Sequence, residues 1–299
     1  MKYRKLGRTG YEVSEVSLGT WQVGGKWGEP FDDKTAEGII MTAIDAGVNF
    51  IDTADVYSDG LSEAAVSRAV KKSGKKVHIA TKCGRKIQPH VNEGYTPDTL
   101  QRYVEDSLKN MQIDCIDLVQ LHCPPAEVYY RPEIFERFER LAEQGKIANL
   151  GVSVEKVEEG LKAIGFPNVA TVQIIYNMFR HRPAELFFRE AKKRDVGIIV
   201  RVPLASGLLS GKFTARTEFG EGDHRKFNRH GEAFDRGETF SGVDYETGLA
   251  AVNEIRSLFP DSNLAAKAIR WVLMADEVSC VISGSSSKEE VSFDKAASD

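Results

Sequence analysis

Asp52, Tyr57, Lys82 and His122 offer a carboxylate, a phenol, an ammonium and an imidazole, and three of them end short apolar runs. Asp52 follows Phe50-Ile51, Lys82 follows Ile79-Ala80-Thr81, and His122 follows Leu118-Val119-Gln120-Leu121; Tyr57 lies five residues beyond Asp52. The chemistry this set suits is proton donation to a carbonyl oxygen. A phenol with a reference pKa of about 10 is a poor acid at neutral pH. A neighbouring ammonium stabilises the tyrosinate and lowers that value, and a carboxylate holds the ammonium in place. A neutral imidazole orients the carbonyl. Proton donation needs an accompanying nucleophile, and the chain shows no activated Ser or Cys elbow. Hydride from a nicotinamide fills that gap. Singly, each residue has a plainer role: Asp52 or Lys82 as a cap or ion-pair partner, Tyr57 as packing, His122 as a cap before Cys123-Pro124-Pro125. Their recurrence at consecutive strand ends favours the chemical reading.

The elements that must position these groups alternate throughout the chain. Short β-branched runs at 16–20, 50–54, 77–82, 116–122, 148–154, 171–176, 197–203 and 280–284 are apolar on both faces, as parallel strands covered on both sides are. Helical patterns fill 32–47, 96–110, 132–144, 183–195, 245–259 and 263–275, the second opening on Thr96-Pro97 and the third ending at Gly145. The expectation is a single-domain α/β fold over 1–299, a closed (β/α)8 TIM barrel whose active face lies at the C-terminal strand ends. No GxGxxG follows the first strand, which disfavours an open doubly wound sheet. Residues 1–13, with the turn signal Arg8-Thr9-Gly10, read as a hairpin closing the barrel bottom. A polar, glycine-rich stretch at 214–247 is too long for an ordinary loop and, with two helices, is inserted before the last strand.

Composition narrows the classes further. Forty Lys and Arg against 44 Asp and Glu leave a net charge of −4, which gives no general attraction to nucleic acid or anionic lipid. With 41% hydrophobic residues the chain has the means for a sizeable core. No apolar run approaches the roughly 20 residues that span a bilayer, and no apolar segment follows the basic N-terminus as in a secretory signal. Cys83, Cys115, Cys123 and Cys280 are far apart and lack CxxC spacing, so neither a metal site nor a disulfide framework is expected. The expected location is the cytoplasm; oligomeric state is left open.

FIDTADVY (50–57), ATK (80–82), LVQLHCP (118–124), GVS (151–153) and PLASGLLSGK (203–212) occur in that order and resemble the aldo-keto reductases, bacterial members with a long loop after the seventh barrel strand in particular. The resemblance runs from about residue 2 to 294. It implies a catalytic tetrad of Asp52, Tyr57, Lys82 and His122, and an extended NADP(H) across the barrel mouth. Ser153 and Gln173 would bind the carboxamide, and Arg201 would stand at the ring. Pro203, Leu204, Ala205 and Ser206, with Lys212, would hold the pyrophosphate. Gly284, Ser286, Glu290 and Asp294 would take the adenosine-end positions, and Arg225 is a candidate phosphate clamp. Trp21, Trp27, Tyr57 and His122 would wall a small-molecule carbonyl pocket.

Several positions depart from the family pattern. Val154 replaces an amide-binding Asn. Arg201 stands where Tyr or Trp commonly stacks; a stacked guanidinium disfavours the oxidised, positively charged ring, unless it pairs with a carboxylate instead. Glu290 and Asp294 bring two carboxylates towards a 2′-phosphate; even so, NADP(H) stands ahead of NAD(H) as the expected cofactor. The leading expectation is NAD(P)H-dependent reduction of an aldehyde or ketone. A cofactor-sensing subunit with slow turnover and a Schiff-base aldolase using Lys82 are the alternatives; Asp52, which keeps the ammonium charged, argues against the aldolase.

Overall fold

The computed structural model describes residues 1–25, 30–260 and 263–298. Eight parallel strands close a barrel: β3 (Val16–Gly19), β4 (Phe50–Asp52), β5 (His78–Cys83), β6 (Leu118–His122), β7 (Leu150–Ser153), β8 (Val169–Ile175), β9 (Gly197–Arg201) and β10 (Val278–Gly284), with β10 pairing back to β3. Preceding them, β1 (Tyr3–Lys5) and β2 (Glu12–Ser14) form an antiparallel hairpin. Residues on both faces of the barrel strands are buried, which is why they read as unbroken apolar runs. β9 stops at Arg201, short of the expected 203, because Val202 turns into the left-handed region with φ +52°.

Helices α1 (Asp33–Asp45), α2 (Leu61–Ser73), α3 (Pro97–Met111), α4 (Pro132–Glu143), α5 (Val157–Ala163) and α6 (Phe187–Lys193) fall between successive strands. Asp32 and Thr96 cap α1 and α3 by accepting from Lys34 N and Thr99 N at 3.0 and 3.2 Å. Pro183 lies in a separate short turn, Arg182–Ala184, so α6 is briefer than its sequence pattern. The insertion after β9 holds α7 (His224–Phe227); α8 (Tyr245–Leu258) and α9 (Leu264–Val272) then precede β10, and α10 (Lys288–Lys295) follows it.

Three apolar clusters result. The largest lies between barrel and helices. A second, with Leu6 and Val13 against Phe50, Leu118 and Ile199, plugs the barrel from the hairpin side. The third belongs to the insertion: Leu208, Leu209 and Phe240 pack with Tyr245, Val252 and Leu264, so the long loop has its own core. Among the described residues no helix is long and apolar enough to cross a membrane.

Candidate active site

Strand register assembles the site. Lys82 pairs across the ladder with Gln120, His122 with Ser153, and Ser153 with Gln173, all towards the C-terminal ends of β5 to β8. The Lys82 ammonium, fully buried, donates to Asp52 Oδ1, to the Thr53 carbonyl at 2.8 Å and to Tyr57 Oη at 3.3 Å. Tyr57 stands at the start of a tight left-handed turn, with φ +48°, +52° and +87° at Ser58, Asp59 and Gly60. Its ring meets His122 edge-on at 6.1 Å. The tetrad implied by the sequence is therefore a contiguous cluster.

Asp52 is held from its other side as well. Its Oδ2 accepts from Gln120 Nε2 and Gln173 Nε2, both at 2.9 Å, and Gln173 also donates to Gln120 Oε1 at 3.0 Å. Gln173 thus spends its amide hydrogens inside the barrel, and Ser153 Oγ lies 3.5 Å from the Gln173 carbonyl oxygen. Gln120 was not singled out by sequence reasoning, although it is two residues from His122 and period-two alternation puts both on one face.

Burial sets the protonation states. Lys82 loses solvation, which lowers its pKa, but Asp52 and Tyr57 outweigh that and the net shift is upward. Tyr57 was expected to be made more acidic by Lys82. Burial dominates instead and raises it, with the ammonium only partly offsetting the rise. Burial, and then Lys82, Arg85 and Arg201, push His122 well below the ordinary imidazole range, so it is neutral at working pH, and its Nδ1 has no partner among the described residues.

Around the tetrad runs an aromatic rim. Trp21 stacks on Tyr57 at 6.2 Å and meets His224 at a tilt at 5.2 Å, and His224 faces Phe234 at 6.4 Å. Burial brings the His224 imidazole down to about 4, so it is an uncharged part of the wall. Trp27, the other expected aromatic wall, lies outside the described residues. Arg201 takes the second of the arrangements expected of it. Its Nη1 donates to both Glu238 oxygens at 2.5 and 2.6 Å, and its Nη2 donates to the Val154 carbonyl at 2.9 Å. Glu238, His224 and Phe234 come from the long insertion, whose path no periodicity reveals.

The segment after β9 has the form of an anion cradle. Val202, Ala205, Ser206 and Gly207 all have positive φ, unusual above all for β-branched Val202, and Pro203 supplies no N–H of its own. The backbone N–H groups of Leu204 and Ser206 have no acceptor among the described residues. Ser206 Oγ donates to the Glu238 carbonyl at 2.8 Å and accepts from Phe240 N at 3.1 Å, tying the insertion to this turn. Lys212 is exposed and 3.8 Å from Glu290. Glu290 accepts from Ser286 N and Oγ at 2.8 and 3.0 Å. Open space surrounds Gly284. Asp294 is buried, and burial raises its carboxyl to about 6, whereas Glu290 is only partly covered. Arg225 is clamped to Asp223 at 2.6 Å and lies over Phe219. The unspent amides of Leu204 and Ser206, exposed Lys212 and exposed Ser286 fit a phosphate-bearing cofactor.

Comparison with known proteins agrees with this geometry. A family profile described as the Aldo/keto reductase family matches residues 15–297. Aldo-keto reductase YhdN of Bacillus subtilis is 32% identical over 283 residues, covering 91% of this chain and 81% of that protein. The solved glycerol dehydrogenase AKR11B4 from Gluconobacter oxydans superposes with a TM-score of 0.80 at 31% identity, covering 99% of this chain and 89% of its own. The holo form of aldo-keto reductase AKR11C1 from Bacillus halodurans gives 0.79 at 28% identity, covering 100% and 91%. With nearly its whole length matched, the chain belongs to the aldo/keto reductase family and is an NAD(P)H-dependent oxidoreductase.

Proposed function

We propose that the protein reduces an aldehyde or ketone to an alcohol with Tyr57 as the proton donor, and that NADP(H) serves it better than NAD(H). The observation that carries the reading is the buried Lys82 ammonium bonded at once to Asp52 and to the Tyr57 phenol. A bound nicotinamide supplies the hydride. The chain's own residues handle the oxygen. His122, neutral, offers a hydrogen bond to the carbonyl, and Tyr57 Oη gives up its proton. Lys82, whose charge Asp52 and the Thr53 carbonyl maintain, stabilises the resulting tyrosinate.

The same residues weigh against an aldolase. A Schiff-base lysine needs a depressed pKa, whereas that of Lys82 is raised. For the cofactor, Ser153 and Gln173 would meet the carboxamide, and the amides of Leu204 and Ser206 with Lys212 the pyrophosphate. Arg225 and Ser286 would stand at the adenosine end. With Asp294 buried, Glu290 is the one of the two expected carboxylates left there, and Lys212 and the Ser286 donors offset it. This supports tolerance of a 2′-phosphate.

The test is NADPH and NADH oxidation across a panel of carbonyls with wild type and Tyr57→Phe. Losing the proton donor should lower kcat by about 10²–10⁴-fold while the Kd for NADPH, from fluorescence titration, is retained. A loss under about tenfold would remove Tyr57 from the chemistry.

A further inference from the structure

Arg85 leaves the end of β5 three residues after Lys82 and brings a guanidinium to the barrel mouth with only a quarter of its side chain exposed. Among the described residues none of its five N–H donors has a hydrogen-bond acceptor. The nearest carboxylate, Glu155, is 3.6 Å away, and the guanidinium otherwise lies over the Phe234 ring at 5.7 Å. Arg201, in the same cluster, is by contrast held at Nη1 by Glu238 and at Nη2 by the Val154 carbonyl. A fork this covered and this unspent is built for a planar, doubly accepting partner.

Arg85 also lies near the tetrad. Its charge contributes to the depressed pKa of His122. From the proton donor, rings run through Trp21, His224 and Phe234 to the Arg85 guanidinium, with successive separations of 6.2, 5.2, 6.4 and 5.7 Å. A ligand whose carbonyl oxygen reaches Tyr57 and His122 would lie along this uncharged wall and end at Arg85. The surrounding charges already balance, Arg85 and Arg201 against Glu155 and Glu238, so one added negative charge is easier to accommodate than two.

We propose that Arg85 anchors the substrate, and that the substrate is a carbonyl compound bearing a carboxylate at its far end. This rests on the reading of Tyr57 as the proton donor of a carbonyl reductase. It also makes Arg85 a specificity-determining residue, outside the proton chemistry.

The test compares para-carboxybenzaldehyde with para-methylbenzaldehyde in wild type, Arg85→Gln and Arg85→Lys. In wild type kcat/KM should favour the carboxylated aldehyde by about tenfold or more, mostly through KM, as a charge-assisted bidentate contact requires. Raising ionic strength should raise KM for that aldehyde and leave the neutral one unchanged. The ratio of the two kcat/KM values should fall at least about tenfold in Arg85→Gln and less in Arg85→Lys; being internal to each variant, it cancels any loss of folded enzyme. Tryptophan-fluorescence titration with para-carboxybenzyl alcohol should show the same loss of affinity without turnover. A wild type that reduces both aldehydes alike, or a ratio unchanged in Arg85→Gln, overturns the anchor and leaves carbonyl reduction standing. A preference for para-formylphenyl phosphate over the carboxylate overturns the choice of anion. Failure to reduce any carbonyl despite NADPH binding overturns the underlying reading and this proposal with it.

Discussion

Asp55 lies in the loop between β4 and Tyr57, is 3% exposed, and has neither carboxylate oxygen in a well-formed hydrogen bond. Burial, and then Glu63, raise its pKa from 3.8 to about 7, against smaller lowering effects of Lys86 and Lys82. Between those values the folded protein holds a proton that the unfolded chain has released, so stability falls as pH rises through the window. At about 1.4 kcal/mol per pH unit the loss is on the order of 4 kcal/mol by neutral pH. Asp55→Asn should therefore be more stable than wild type at pH 8 and indistinguishable from it near pH 4, read from urea midpoints. A wild-type midpoint that climbs between pH 4 and 8 relative to the variant would contradict the burial of this charge. At this scale the clustering of Asp52, Tyr57, Lys82 and His122 was legible because three of them end apolar runs and Tyr57 follows Asp52 by five residues. Asp55 was not, since nothing in DTADVY distinguishes the buried carboxylate at 55 from the one that meets Lys82.

The element that most defines the mouth is the insertion between β9 and α8. Its small core of Leu208, Leu209, Phe240 and Tyr245 keeps it folded, and the Arg201–Glu238 pair fastens it to the barrel. Removing one member of a buried pair leaves the other uncompensated, at a cost of about 3–5 kcal/mol. Glu238→Gln should therefore release the insertion before it unfolds the barrel. Hydrogen exchange should quicken across 224–242 while the β5 to β8 amides stay protected. Uniform exchange in variant and wild type would mean that the apolar cluster alone holds the loop. The length and polarity of this segment set it apart from an ordinary loop, but which of its side chains turn inward depends on its own packing. Among the regular elements, α2 escaped the sequence reading because its buried face is largely Ala65, Val66 and Ala69, too small to give a strong apolar stripe. α5, VEEGLKA, escaped because its buried residues are Glu159, Gly160 and Ala163, which make no apolar stripe.

Across the whole molecule, the chemical end and the structural end of the barrel are opposite. The hairpin, read correctly from Arg8-Thr9-Gly10, seals the bottom through a backbone contact that only Gly7 permits. Its φ is +48°, and a Cβ there would meet Gly197 N at 2.1 Å and the Asp195 carbonyl at 2.7 Å. Gly7→Ala should destabilise by about 2–5 kcal/mol, from left-handed strain plus a forced backbone shift. In urea melts the midpoint should fall, while kcat measured well below the melting transition keeps its wild-type value. A large fall in kcat with an unchanged midpoint would mean that the two ends are coupled. The alternating strand and helix pattern made this architecture legible; the spatial meeting of β4, β5, β6 and β8 inside the lumen was not, because it depends on stagger. That stagger gives the Asp52 carboxylate a second consequence. Lys82, Gln120 and Gln173 reach it from three other strands, and a one-residue slip of β6 would turn Gln120 and His122 outward together. A misaligned barrel would then deprive Asp52 Oδ2 of one of its two donors, at a cost comparable to a lost charged hydrogen bond. The polar knot beneath these residues thus works as a checksum on strand alignment: a barrel closed in the wrong register lacks both the inward-facing His122 imidazole and the Gln120 bonds to Asp52 and Gln173.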